Sequence, residues 1–204
     1  MNTEHELIRD LAQTTDAIAD DLEVLHTRLA AAAQTEGILD IAYRVVDSPV
    51  GPLLVAATEF GLVRVAYASE GHDTVLQSLA DRISPRILLA PGRLDTAARQ
   101  LDEYFAAERH EFSVPLDWRL SAGFRNRVLR QLPGIGYGHT ASYAAVAKLA
   151  GNPNAVRAVG SACATNPLPI VVPCHRVVRS DGAMGGYLGG VEAKRVLLTL
   201  ESAA

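Results

Sequence analysis

The sequence predicts an α+β fold with three parts: an extra N-terminal helix, a small α/β domain with a three-stranded antiparallel sheet, and a mostly helical C-terminal domain containing a helix-turn-helix. Three observations predict it. Short β-branched runs separated by glycine- and proline-rich turns fill much of the first half. Short helical periods joined by glycine turns fill the second half. Ahead of both, aliphatic residues recur at nearly heptad spacing.

The composition is that of an ordinary globular protein. Of 204 residues, 49% are hydrophobic and 21% charged, which excludes a disordered, collagenous or disulfide-stapled chain. No apolar run reaches the roughly 18 residues that a membrane span needs, and the N-terminus lacks the basic region of a signal peptide. Because the chain has only two cysteines, we expect a protein of the reducing cytoplasm with no membrane partner.

The N-terminal segment 1–36 is predicted to be a separate helical extension, with its helix over residues 4–33. Its apolar stripe consists of Leu7, Leu11, Ile18, Leu22, Leu25 and Leu29. Two interpretations stay open: the stripe packs on the chain's own domain, or it mediates self-association or contact with a partner helix.

Residues 39–118 are predicted to form the small α/β domain. Strands are expected at 39–46, 53–57 and 62–67, followed by helices at 72–82 and 94–107. Pro115 and Asp117 then indicate a boundary, so that residues 119–204 form the second domain.

The second domain is predicted to contain helices at 121–132, 142–150 and 153–164. Ser121 and Ser142 are the expected N-caps of the first two, and Pro153 suits the first turn of the third. The last two helices and the turn between them make the helix-turn-helix. The apolar run 168–172 is typical of a buried strand or extended segment.

Charge is distributed unevenly along the chain. The net charge is −4, yet residues 1–117 carry 20 acidic and 9 basic side chains, whereas residues 118–180 carry eight basic side chains and no acidic ones. This asymmetry favours a polyanion site in the second half, although a solvated basic face would give the same count.

The string Pro173-Cys174-His175-Arg176 is the most distinctive chemical feature. Neighbouring positive charge favours the thiolate, so Cys174 is a candidate nucleophile; an inert buried cysteine and a metal ligand are the alternatives. We expect no metal site, because one needs three or four ligands and the remaining cysteine and histidines are scattered.

Two further segments complete the candidate site. The helix at 153–164 has small side chains, with Arg157 its one long charged residue. This suits either ordinary packing against protein or entry into a nucleic-acid groove without base-specific readout. The loop 182–190 contains five glycines and follows the Cys-His pair closely, so it is a candidate pocket wall, the alternative being a flexible surface loop.

Together these strings resemble the O6-alkylguanine-DNA alkyltransferase family. The matching residues are Ser142-Tyr143, Gly151-Asn152-Pro153 with the run 155–160, Asn166-Pro167, Ile170 to Val178, Gly186-Tyr187 and Leu197-Leu198 with Glu201. The resemblance is strong over about 121–202. It is weaker over 39–118, where Ser48 to Leu53 and Gln100 to Phe105 fit the family's N-terminal domain.

The resemblance implies a role for each catalytic residue. Cys174 would be the alkyl acceptor, His175 would act on it through a water molecule, and Glu201 would orient His175. Asn166 would brace the turn before the active-site segment. Tyr143 would donate a hydrogen bond to the guanine ring nitrogen as the alkyl group leaves.

It also implies how the damaged base is held. Backbone groups near Val177 and Leu188 would bind the base edges, and Tyr187 would line the pocket. Arg157 would fill the gap left by the flipped nucleotide. The remaining residues expected at the minor groove are Ala155, Ala158, Gly160 and Arg176. Leu188 lies at a variable position that affects which alkyl groups fit.

The implied function is direct reversal of DNA damage. One alkyl group would move from O6-alkylguanine, and also from O4-alkylthymine, in double-stranded DNA to Cys174, once per protein molecule and without a cofactor. Two alternatives remain: a non-catalytic module that binds alkylated DNA, and a cysteine hydrolase using Cys174 and His175.

Overall fold

The computed structural model describes residue 22 and residues 24–202, and it confirms the α+β class. Helix α1 covers 24–35 in its continuous described part. The first half continues with β1 (Ile41–Val46), β2 (Leu53–Thr58), β3 (Gly61–Tyr67), α2 (His72–Arg82), β4 (Ile87–Leu89) and α3 (Asp95–Phe105). The second half contains α4 (Gly123–Gln131), β5 (Ala141–Ser142), α5 (Tyr143–Leu149), α6 (Val156–Ala164), β6 (Val177–Val178) and α7 (Gly190–Ser202).

The main sheet has one strand more than the sequence predicts. Its order is β3-β2-β1-β4, and the three predicted strands pair antiparallel. The additional strand β4 pairs in parallel with β1 and is only three residues long, too short to give a clear alternation signal. Strand β2 is buried along its whole length, because alternate residues face the main core and a smaller cluster beneath α2.

Two of the expected helix starts differ from the structure. Helix α4 is preceded by Ala122, and the hydroxyl of Ser121 instead donates to the carbonyl of Trp118 and accepts from the Asn126 amide. Helix α6 begins at Val156, so Pro153 lies in the turn before it. The predicted cap at Ser142 is confirmed, since its Oγ accepts from the Ala145 N–H.

The segment 168–172 is buried as predicted, but it is not a strand. It forms irregular turns in which Ile170 adopts a left-handed φ of 72°. These turns reverse the chain between α6 and Cys174 and therefore bring residues from both sides of the segment together. Strand β6 starts only at Val177, where it pairs in parallel with β5.

The two halves share one apolar core and are joined through β3. The backbone N–H of Val65 donates to the carbonyl of Pro167 at 2.9 Å. The guanidinium of Arg64 donates to the carbonyls of Asn166 and Pro167, and also binds Glu70. The turn that leads to Cys174 is thus held from the N-terminal sheet.

Helix α1 contacts the core through small residues only. Ala30 and Ala33 are buried, whereas Leu22, Leu25 and Leu29 are 50%, 57% and 53% exposed. The remaining members of the predicted stripe, Leu7, Leu11 and Ile18, lie outside the described residues. Among the described helices, none is long and apolar enough to cross a membrane.

Candidate active site

Cys174 begins a short 3-10 helix, Cys174–Arg176, directly after the buried turns. The residue is 2% exposed, and its Sγ accepts a hydrogen bond from Asn166 Nδ2 at 3.1 Å. The same amide donates to the Val172 carbonyl at 2.8 Å, and its oxygen accepts from Leu168 N–H at 3.0 Å. Asn166 therefore fixes both the turn and the thiol.

His175 lies beside Cys174 and is fully buried against α7. Its Nε2 is 2.7 Å from Glu201 Oε1, and both side chains are inaccessible to solvent. Its Nδ1 is buried without a protein partner among the described residues. A buried ring nitrogen left unpaired is costly, so this atom is suited to binding a water molecule.

Glu201 accepts hydrogen bonds from four residues, which lie in three segments of the chain. Besides His175, it accepts from Tyr104 Oη at 2.7 Å, from Arg176 Nε and Nη2 at 2.9 Å each, and from Gly138 N–H at 3.4 Å. Burial alone would raise the pKa of Glu201, but the hydrogen bonds from His175 and Arg176 lower it to about 2. The carboxylate is therefore charged at neutral pH.

The expectation that Arg176 contacts DNA is wrong for this structure. Its side chain is only 6% exposed, and the guanidinium is bound to Glu201 and to the Ile135 carbonyl at 2.6 Å. The tight 3-10 turn directs this side chain inward, where it compensates a buried carboxylate rather than a phosphate.

The thiol itself lies in a weakly polar environment. Burial raises the pKa of Cys174 to about 11, against the lowering effects of the Asn166 hydrogen bond and the Lys194 charge. Burial likewise lowers the pKa of His175 despite its Glu201 partner. The resting site thus holds a neutral thiol beside a neutral imidazole, whereas the sequence string alone predicted a thiolate.

Lys194 was missed by the sequence analysis. It is fully buried in α7, and its Nζ donates to the carbonyls of Val177, at 2.6 Å, and of Met184. It thereby ties the strand after the active site to the glycine-rich loop. A lysine in a helix with charged neighbours is normally solvent-exposed, so the local sequence gave no signal of this role.

The expected base-pocket residues lie on α5, on β6 and on the glycine-rich loop 182–190. Tyr143 opens α5, and its hydroxyl lies against Gly185 so closely that a Cβ there would be 3.1 Å away. The ring of Tyr187 stands edge-on to His175, with centroids 6.3 Å apart. Val177 is buried in β6, and Leu188 borders a cavity of ≈ 430 Å³ between the two halves.

Helix α6 presents a slim surface to solvent. Arg157, Ala158, Ser161 and Ala164 are exposed on one face, while Val159, Ala162 and Cys163 are buried on the other. Ala155, just before the helix, and Gly160 are half-buried. In the described part of the chain, no cluster of three or more His, Cys, Asp or Glu residues is arranged to hold a metal ion.

Two family models match the chain. The 6-O-methylguanine DNA methyltransferase ribonuclease-like domain matches residues 41–118, and the 6-O-methylguanine DNA methyltransferase DNA binding domain matches 123–203. A methylated-DNA–protein-cysteine methyltransferase from Mycobacterium tuberculosis is 41% identical over 167 residues, covering 79% of this chain and 92% of the relative. The constitutive enzyme of that name from Bacillus subtilis is 39% identical over 164 residues, with coverages of 78% and 94%.

Solved structures agree with these sequence matches. The crystal structure of a Mycobacterium tuberculosis O6-methylguanine methyltransferase superposes with a TM-score of 0.70 at 39% identity, covering 80% of this chain and 93% of that one. A structure of the Mycobacterium tuberculosis protein OGT in complex with DNA gives a TM-score of 0.69 at 40% identity, with coverages of 79% and 93%.

Removing the Asn166 hydrogen bond should make the Cys174 thiol harder to ionise. In Asn166→Ala, we expect the apparent pKa for alkylation of Cys174 by iodoacetamide to rise, and the rate at pH 8 to fall about tenfold, since hydrogen bonds to charged groups contribute about 1.5–3 kcal/mol. Site-resolved mass spectrometry measures the rate. Asn154→Ala, at an exposed turn, is the control. An unchanged apparent pKa of Cys174 in the folded Asn166→Ala variant would contradict a role of this hydrogen bond in stabilising the thiolate.

Removing the charge of Glu201 should destabilise the protein. Glu201→Gln leaves Arg176 buried and unpaired, so the free energy of unfolding at pH 7 should fall by about 3–5 kcal/mol. Chemical denaturation measures it. Glu192→Gln, in the same helix but 75% exposed in its side chain, should change little.

The stabilisation by Glu201 should also depend on pH. The folded-state pKa of Glu201, about 2, lies below its ordinary 4.5. The stabilisation is therefore present above pH 4.5 and is lost as the pH falls towards 2. Between pH 4.5 and pH 2, the free energy of unfolding should therefore fall less in Glu201→Gln than in wild type. The same fall in both proteins would rule out Glu201 as its source.

Proposed function

The chain belongs to the 6-O-methylguanine DNA methyltransferase family, and on that premise we propose that it repairs DNA by transferring an alkyl group from O6 of guanine to Cys174 Sγ. The observation that carries this proposal is the placement of the thiol, held by Asn166 beside the buried His175–Glu201 pair. A nucleophile next to a base that is itself oriented by a carboxylate is the arrangement that nucleophilic catalysis requires.

The tautomer of His175 follows from its contacts. Glu201 is ionised and only accepts hydrogen bonds, so His175 Nε2 must carry the proton. Nδ1 then has a free lone pair, and it is the buried atom without a protein partner among the described residues. A water molecule on Nδ1 would relay the proton of the Cys174 thiol to Nδ1, which leaves the thiolate as nucleophile and an imidazolium beside the Glu201 carboxylate.

The transfer is an in-line displacement at the alkyl carbon. The Sγ–C bond forms as the C–O6 bond breaks, and the electron pair of the broken bond passes to the guanine ring. Tyr143 would donate a hydrogen bond to the ring nitrogen that gains this charge. Burial raises the pKa of Tyr143, so its hydroxyl keeps the proton it needs as a donor.

The products explain why each molecule acts once. Cys174 becomes a thioether, which is a poor leaving group, and the mechanism contains no step that removes it. The thiolate and the alkylated base are the only reactants, so the step as written needs no cofactor. O4-alkylthymine also carries its alkyl group on an exocyclic oxygen of the base, so the proposal includes transfer from this base to Cys174.

We place the DNA on the exposed face of α6. Small side chains at Ala158 and Ser161 allow close approach to a minor groove, and Arg157 would occupy the space of the flipped nucleotide. Backbone groups near Val177 and Leu188 would hold the extruded base beside Tyr187. The acid-free segment 118–180 supplies the positive charge, and binding should weaken with salt.

In this proposal, the two predicted domains have different roles. Residues 119–204 would carry the DNA surface and the reactive groups, and residues 39–118 would hold them in position. A reducing cytoplasm is the compartment in which the free thiol of Cys174 stays available.

Methyl transfer is tested directly by intact-protein mass spectrometry. After incubation with a duplex containing O6-methylguanine, wild type should gain the mass of one CH₂, and Cys174→Ser should gain none. Cys163→Ser, at the other buried cysteine, should still gain one. Tight binding of the lesion by wild type without a mass gain would instead identify a non-catalytic module, and repeated turnover would identify a hydrolase.

We also propose that α1 mediates self-association. Leu25 and Leu29 are more than half exposed, although their spacing matches a helix–helix seam. The double variant Leu25→Lys/Leu29→Lys should convert a dimer to a monomer in light scattering while leaving methyl transfer intact. Val191→Lys, at an exposed site in α7, is the control. Equal masses for wild type and the double variant would contradict the proposal.

A further inference from the structure

Tyr67 links the N-terminal sheet to the glycine-rich loop 182–190. It is the last residue of β3, is 2% exposed, and points its hydroxyl at Tyr187, with the two oxygens 2.7 Å apart. The two rings meet edge to face with centroids 5.8 Å apart. Tyr187 thus stands between Tyr67 on one side and His175 on the other.

The backbone of the loop is fitted to the Tyr67 ring. A Cβ added to Gly189 would lie 2.6–2.7 Å from three ring carbons, so only glycine permits this approach. The loop therefore rests on Tyr67 at two points, through the Gly189 backbone and the Tyr187 hydroxyl.

Tyr67 is itself held rigidly. Its N–H donates to Glu70 Oε1 at 2.9 Å, and the same carboxylate binds Arg64. Arg64 in turn donates to the carbonyls of Asn166 and Pro167, next to the residue that positions the thiol. Side chains of the N-terminal half therefore connect Tyr67 to the backbone of the turn that leads to Cys174.

An alkyl group undergoing transfer must occupy the space around Cys174 Sγ. The Tyr187 ring lies edge-on to His175, the residue next to Cys174, with centroids 6.3 Å apart, which puts it beside that space. A methyl group adds little volume there. A bulky group would displace the Tyr187 ring and so leave the hydroxyl of the buried Tyr67 without its partner.

We propose that Tyr67 is a positioning residue that holds Tyr187 as a fixed wall of the alkyl pocket and thereby makes the protein favour small alkyl groups over bulky ones. The inference rests on the proposed alkyl transfer and assigns the size limit to a residue of the N-terminal half. The hydroxyl of Tyr67 carries this effect, because the ring alone would let Tyr187 turn aside without leaving a buried polar group unpaired.

The test is a double-mutant cycle read as a selectivity ratio. Single-turnover rates are measured with duplexes carrying O6-methylguanine or O6-benzylguanine, for wild type, Tyr67→Phe, Tyr187→Phe and the double variant. We expect each single variant to raise the benzyl-to-methyl ratio about fivefold, the equivalent of one net hydrogen bond. The double variant should show no further increase, because both substitutions remove the same contact.

The controls separate selectivity from stability. Tyr43→Phe, at a half-buried tyrosine in β1, should leave the ratio unchanged. If the role of Tyr67 were purely structural, Tyr67→Phe would lower the thermal midpoint and slow the transfer of both alkyl groups equally. An unchanged benzyl-to-methyl ratio in Tyr67→Phe would overturn the inference. Multiplicative effects in the double variant would also overturn it. Failure of wild type to transfer either group would refute the proposed function as well, whereas transfer with an unmoved ratio refutes this inference alone.

Discussion

The buried carboxylate of Glu201 is the group on which the rest of the site depends. An ionised carboxylate inside a protein is tolerated only when its oxygens are fully hydrogen-bonded. Here the donors come from Tyr104 in α3, from His175 and Arg176 beside the nucleophile, and from the Gly138 loop. The hydrogen bonds to this one carboxylate therefore fix the relative positions of α7, the active-site turn and the N-terminal half. The bond to His175 also selects the tautomer of its imidazole.

The site is closed and nearly neutral around its nucleophile. Cys174 is 2% exposed, burial raises its pKa, and Asn166 and Lys194 lower it only in part. A protonated thiol in such surroundings is protected from unwanted electrophiles, which matters because the proposed reaction uses each molecule once. The loop that carries Tyr187 is joined to the N-terminal sheet through its contact with Tyr67.

Much of the architecture was readable from the sequence, because periodicity and capping are local. The three antiparallel strands and the Ser142 cap were predicted correctly, while β4 was missed because three residues give no periodicity. Cys174 and His175 stood out as adjacent residues. Asn166 and Glu201 were identified only through the family resemblance, because both are distant from Cys174 along the chain. The buried turns lie between Asn166 and Cys174, and Glu201 lies near the end of α7. Arg176 was misassigned, and Tyr104, Lys194 and Tyr67 were missed, because their roles arise from contacts between distant segments.

The central claim is that burial keeps His175 neutral, while the hydrogen bond to Glu201 holds its proton on Nε2 and leaves Nδ1 free to receive the thiol proton. Side-chain ¹⁵N NMR of selectively labelled His175 tests this claim directly. At neutral pH, the account predicts one protonated Nε2 and one unprotonated Nδ1, because burial lowers the pKa of His175 below its ordinary value. An imidazolium signal at neutral pH, or a proton on Nδ1, would contradict it.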